Sequence, residues 1–215
     1  MSLFICPLPT ELNNIYIDTC PENIGQIQKL VFQRKFSTGS TRNSFTIASA
    51  NPNLQASWDT FLDASDSTKA VQTPFLDNPE TEAGAAIKFG GGNATRGGIE
   101  LIVGREPTLF TGQYLQTSQR SIKNMKTYQS ESFQGNLGVY FIDEFGRIIG
   151  ESDDIENPTI FYPIPIHSLF IGDKSFGGKE APDDNMIEFS LFPNWSDNLH
   201  IVTPSDFDAL TDLVE

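Results

Sequence analysis

The chain has 215 residues, 38% of them hydrophobic and 20% charged, with 17 Phe and a formal charge of −14. That length and composition suit one folded, strand-rich domain with a sizeable core, and exclude a disordered chain. Residues 1–150 hold 14 acids against 12 bases, residues 151–215 hold 14 acids against 2, and nothing after Lys179 is basic, so a phosphate-gripping surface is not expected.

No stretch approaches the ~20 apolar residues of a membrane span, so no membrane partner is expected. The first residues, Met1-Ser2-Leu3-Phe4-Ile5-Cys6, carry no positive charge and too short an apolar run for a secretion signal, which points to synthesis in a cytoplasm. Cys6 and Cys20 are the only cysteines. They read as reduced thiols, with a bridge between them as the alternative, and lack further ligands at metal spacing.

In chain order, residues 1–23 read as an extended arm punctuated by Pro7, Pro9 and Pro21, with a short strand at Ile15-Tyr16-Ile17. Residues 24–215 read as a single β-rich domain. Ile24 to Lys35 favours a strand around Leu30-Val31-Phe32, and Phe45-Thr46-Ile47 a second. Asn51-Pro52 predicts a helix start, with Leu54, Trp58, Phe61 and Leu62 on one buried face. Ala70 to Thr73 is a short strand. Pro74 to Gly98 reads as a loop of about 25 residues, a length that usually signals function or an interface.

Gly98 to Gly104 has the β-branched composition of a buried strand. Thr117-Ser118 offers a cap for a helix over Gln119 to Ser130, with Ile122 and Met125 at helical spacing. Leu137 to Ile142 and Arg147 to Gly150 form a hairpin about the turn Asp143-Glu144-Phe145-Gly146. Further strands are expected at 160–162, 164–171, 186–192 and 198–202. Thr203-Pro204 predicts a final helix with Phe207, Leu210 and Leu213 inward. The expected architecture is a strand-dominated α+β domain, a β-sandwich or small barrel with two to three helices.

Chemistry is harder to find. Gly90 to Gly98 lacks the Lys-Ser/Thr ending of a phosphate loop and opens no helix, so it reads as a flexible loop. Asp63-Ala64-Ser65-Asp66-Ser67 has neither the central Gly nor the twelfth-position Glu of a calcium loop. His167 and His200 sit far apart in apparent strands and read as structural. No catalytic, cofactor-binding or metal residue is therefore expected, and the chain is not expected to be an enzyme. A hydrolase built on loop Asp and Glu residues is the minority reading, because such a pair can lie anywhere in sequence.

The stretch Ile99 to Val103, Phe110-Thr111-Gly112-Gln113, the helix to about Tyr128, and Leu137 to Gly150 around its Asp-x-x-Gly turn resembles bacteriophage tail tube and related virion proteins. It covers about a quarter of the chain. The resemblance implies a homo-oligomer, a ring that is commonly a hexamer, stacked with its copies into a tube and contacting other virion proteins. It implies a channel in which DNA is non-sticking cargo, repelled by acidic walls, and a location in the virion after assembly in the host cytoplasm. The arm and the long loop become clasps on neighbouring copies, with Phe4, Ile5, Ile15, Tyr16, Gly91, Asn93 and Arg96 as interface residues. A capsid accessory protein, a head–tail connector, or a carbohydrate-binding module using Phe192 and Trp195 are the alternatives within the virion.

Overall fold

The structure is a computed structural model and describes residues 11, 12, 15 and 23–213. Cys6, Cys20, Phe4, Ile5 and Tyr16, with most of the expected arm, lie outside the described residues.

The elements in chain order are β1 (Ile27–Arg34), β2 (Phe45–Thr46), α1 (Gln55–Leu62), β3 (Ala70–Gln72), β4 (Asp77–Glu82), β5 (Ala86–Gly90) and β6 (Glu100–Arg105). They continue with β7 (Thr108–Leu115), α2 (Gln119–Phe133), β8 (Leu137–Asp143), β9 (Ile148–Ser152), β10 (Ile160–Tyr162), β11 (Ile164–Ile171), β12 (Asp184–Leu191) and β13 (Leu199–Val202). The fold is strand-dominated α+β with two α-helices among the described residues. Two compact units divide it: residues 25–83 with 107–215, and a smaller one whose strands are β5 and β6.

In the larger unit every strand pairing is antiparallel, and the sheet is organised by β8. Along one edge β8 pairs with β1, from Arg34 opposite Leu137 to Ile27 opposite Asp143. Its other edge is shared, Phe141 and Ile142 pairing with β9, Val139 and Gly138 with β11. The sheet therefore forks. One branch runs through β9 to β10, β2 and β13, the other through β11 to β12, β7 and β4. Gly138 sits in the crotch, where a Cβ would come within 2.8 Å of the Pro163 ring, so a larger residue would push the branches apart.

All seven residues of β8 are buried. Alternation sends Leu137, Val139 and Phe141 to one core and Tyr140 and Ile142 to another. The first core fills the space between the branches, where Leu30 and Phe32 of β1 meet Phe110 of β7, Ile187, Phe189 and Leu191 of β12, and Ile122 and Met125 of α2. Phe110 and Phe189 stack at 4.6 Å. The second core lies under α1 and the C-terminal segment, where Phe45, Trp58, Phe161, Ala209 and Leu213 pack on Tyr140. Each large side chain buried this way stabilises the fold by about 1.5–3 kcal/mol.

The helix after Ser118 forms as its capping predicts, with Ser118 Oγ accepting the Ser121 N–H at 3.2 Å. Three expectations need correction. The helix predicted from Asn51-Pro52 begins at Gln55, because Asn51 Oδ1 accepts the Asn53 N–H at 3.0 Å and the Pro52 carbonyl accepts the Trp58 indole N–H at 2.8 Å, holding 51–54 in a turn. The final helix does not form. Lys29 Nζ donates to the Leu210 carbonyl and Gln72 Nε2 to the Ala209 carbonyl, both at 2.7 Å, so those oxygens are taken from any helical ladder. Residues 203–213 instead run as turns, with Leu213 still buried.

The third correction concerns the loop predicted over 74–98 and the buried strand predicted over 98–104. The first contains β4 and β5, and the second is β6, which is exposed rather than buried.

Candidate assembly interface

In the smaller unit β5 and β6 form an antiparallel hairpin, with Phe89 opposite Leu101 and Ile87 opposite Gly104. An irregularity at Ile87/Lys88 leaves Val103 as the extra residue on β6. Register and alternation place Ile87, Phe89, Ile99 and Leu101 on one face. On the other face lie Ile102, opposite Lys88, and the Lys88–Glu100 ion pair at 3.0 Å. The apolar face is open: its four residues are 43–68% exposed. Four half-exposed large side chains leave on the order of 300 Å² of apolar surface, the size of patch that marks an interaction site.

The glycine-rich turn between these strands is ordered, not loose. Two 3-10 turns, Gly92–Ala94 and Arg96–Gly98, are tied by Thr95 Oγ1, which accepts the Gly91 N–H at 3.0 Å and donates to the Ile99 carbonyl at 2.6 Å. Gly90 has φ +87° and faces Thr95 so closely that a Cβ would lie 2.1 Å from its methyl. Of the predicted interface residues, Gly91, Asn93 and Arg96 share this turn, with Asn93 and Arg96 exposed. Ile15 is 90% exposed.

A second surface belongs to the larger unit. In the branch β11-β12-β7-β4 the inward residues are largely apolar, among them Ile166, Ile187, Phe189 and Phe110, and the outward ones mix polar and acidic residues with Phe170, Met186 and Leu109. Register aligns Phe170, Glu188, Thr111 and Glu80 in one cross-strand row, with Asp77 beside Gln113 and Glu82 beside Leu109. These four strands contain five acids and no Lys or Arg. The edge strand β4 is guarded by Pro79, by a register shift between Asp77 and Glu80, and by Asn78 at φ 47°.

Several other carboxylates are engaged locally. Asp153 Oδ2 accepts the Thr159 hydroxyl and its Oδ1 the N–H groups of Thr159 and Ile160, at 2.9 and 2.8 Å, which together hold its carboxyl well below the ordinary range. Asp66 Oδ1 accepts the Thr68 N–H and hydroxyl at 2.8 and 2.6 Å, closing the predicted turn and lowering its pKa. An open groove of about 950 Å³ runs beside β1 and α2, and its carboxylates are this Asp66 and Glu131, which is paired with Arg34. Among the described residues no group of three His, Cys, Asp or Glu side chains converges as a metal site. Among the described residues no helix is long and apolar enough to cross a membrane. Trp195 packs edge-on at 6.4 Å from Phe141, against the first core, and does not pair with Phe192 as a flat sugar-binding platform would require.

Glu151 stands apart. It lies 3.5 Å from Arg42, whose guanidinium covers the Tyr162 ring at 3.3 Å. Burial pushes its carboxyl above the ordinary value, and Arg42 and Lys35 pull it only partway back. A carboxyl raised in the fold binds its proton more tightly folded than unfolded, so stability falls as pH rises from the unfolded glutamate value of ~4.3 through the raised one. Glu151→Gln escapes that loss. Relative to the wild type its stability is expected to rise between about pH 4 and about pH 7, by less than about 1 kcal/mol after solvent screening. Urea denaturation at the two pH values checks this, and a constant difference would refute it.

No protein-family model matches the chain. No curated protein matches it significantly. Among solved structures it shows a weak likeness, at 12% identity and a TM-score of 0.32, to a chain of the tail of an empty GTA particle computed with helical refinement and C6 symmetry, over 62% of this chain and 88% of that one.

Proposed function

We propose that the chain is a structural subunit of a bacteriophage virion, specifically a tail-tube protein whose copies close into rings, commonly hexamers, that stack around a DNA channel. In this reading it is not an enzyme and takes no cofactor. The observation that carries it is the β5–β6 hairpin, an ordered ribbon whose apolar face is open to solvent. Such a face is unfavourable on a solitary particle and favourable when another protein covers it.

The outward face of β11-β12-β7-β4 supports a tube over other virion roles. Its acids, Asp77, Glu80, Glu82 and Glu188, with no Lys or Arg on the four strands, make the part of it over β4, β7 and the middle of β12 the natural channel wall. Phosphates passing within about one Debye length, ~8 Å at physiological salt, would be repelled and would not adhere. Head-to-tail contacts between different surfaces close into rings when the rotation allows. Phe4, Ile5, Ile15 and Tyr16 then act as clasp residues, and the protein resides in the virion after assembly in the host cytoplasm.

Negative-stain electron microscopy of the purified protein over a concentration series tests the proposal. Rings and short tubes are the expected result. A protein that stays monomeric in sedimentation velocity at every concentration would overturn it.

A further inference from the structure

The hairpin needs a receptor, and the larger unit offers one that the cores leave unused. Phe133, the last residue of α2, is 78% exposed, and Phe192, just past β12, is 43% exposed. They flank His167, near the start of β11, with ring centroids 6.2 and 6.1 Å from it. The row is built, not incidental. His167 pairs in register with Ser190 of β12, and Ser132 Oγ accepts the Leu169 N–H at 2.9 Å, pinning the end of α2 to the irregular stretch of β11. The imidazole is oriented by its Nδ1, 2.7 Å from Ser168 Oγ. None of the three rings belongs to either core.

We propose that the apolar face of the β5–β6 hairpin of one copy seats on the Phe133–His167–Phe192 row of a second copy. This rests on the self-assembly reading above and names its receptor. Three arguments select a second copy as the occupant. Charge is complementary: residues 84–106 carry Lys88, Arg96 and Arg105 against Glu100 and Glu106, a net +1, while the rest of the chain is −15. The strands behind the row, β11 and β12, hold no Lys or Arg, so no like charge opposes the net-positive ribbon there. Shape agrees as well, since a ribbon of branched and aromatic side chains packs favourably on a row of rings presenting faces and edges. Finally, two different sticky surfaces on one chain make a head-to-tail contact that propagates, whereas a self-complementary surface would stop at a dimer.

The test uses two variants of the full chain, Phe89→Asp/Leu101→Asp in the hairpin and Phe133→Asp/Phe192→Asp in the row. All four side chains are exposed, so thermal melting by circular dichroism is expected to stay within a few degrees of wild type. Each variant alone should need at least about tenfold more protein for half-assembly. Mixed in equal amounts they should form heterodimers in sedimentation velocity, because one supplies an intact hairpin and the other an intact row. Should the double row variant melt early, Phe192→Asp alone serves, with at least about a threefold loss expected.

A row variant that assembles at the wild-type concentration overturns the receptor assignment and leaves the ring proposal standing. So does a mixture without heterodimers while the wild type assembles; hairpin-to-hairpin pairing or a foreign partner would then be the occupant. A wild type that never assembles sinks both.

Discussion

Trp58→Ala should cost about 3–5 kcal/mol of folding stability, the range for emptying a buried aromatic site. Trp58 is fully buried, its ring 4.5 Å from Phe45 and 5.1 Å from Tyr140. Its indole N–H also donates to the Pro52 carbonyl at 2.8 Å, so truncation strips a turn of its partner and opens a void together. The site cannot collapse easily. Tyr140 is held in β8 by strands on both edges, and Phe45 sits on a two-residue strand paired with β10. In a chain of this size each kcal/mol lowers Tm by roughly 2–4 °C, so a fall of about 6–20 °C is expected. Trp58→Phe keeps most of the volume and should lose clearly less. Urea denaturation of the two variants checks this; a loss under about 1 kcal/mol for the alanine variant would mean that α1 repacks.

Asp143→Ala is the second large effect, at about 3–5 kcal/mol. Asp143 is completely buried at the end of β8. Its Oδ1 accepts the N–H groups of Phe145 and Arg147 at 3.0 and 2.9 Å, which shapes the β8–β9 turn. Its Oδ2 accepts Arg147 Nε at 2.8 Å and the Gly25 N–H at 3.3 Å, tying the chain entering β1 to that turn. Alanine leaves a half-buried guanidinium and several amide donors without their acceptor. Asp143→Asn, which retains an acceptor oxygen, should cost less. The cycle with Arg147→Met separates ion pair from turn: if the pair matters, the double variant recovers part of the loss, and strict additivity would assign the whole effect to the backbone donors.

Most of the larger unit was readable because its strands alternate and its cores are internal. Val139, Phe141, Tyr140 and Ile142 announce a strand whichever face is asked for, and the Ser118 cap marks the start of α2. What escaped depends on distant residues. The C-terminal segment has a cap and acids suited to a helix, yet Lys29 and Gln72, some 140 to 180 positions earlier, capture its carbonyls. The fork at Gly138 leaves no local trace. Ile99 to Val103 carries the composition of a buried strand, yet β6 lies in a ribbon outside both cores, because composition records apolar content and not position. Pro79 disguised β4 as loop, since proline is tolerated there only because the strand is an edge. The aromatic row was invisible because Phe133, His167 and Phe192 come from three separate elements and meet only when β11 and β12 find their register.

The pairing of β1 with β8 joins residues more than a hundred positions apart, Leu30 opposite Phe141 among them. Contacts of such long range make folding slow, because the entropy of closing the intervening chain is lost before the contacts reward it. On a ribosome, β1 must wait until well past the middle of the polypeptide has emerged, whereas the β5–β6 ribbon is local and can zip up early. The nascent molecule thus passes through a period in which its exposed apolar ribbon exists and its body does not, a window in which crowding with sister chains favours tangles over folding.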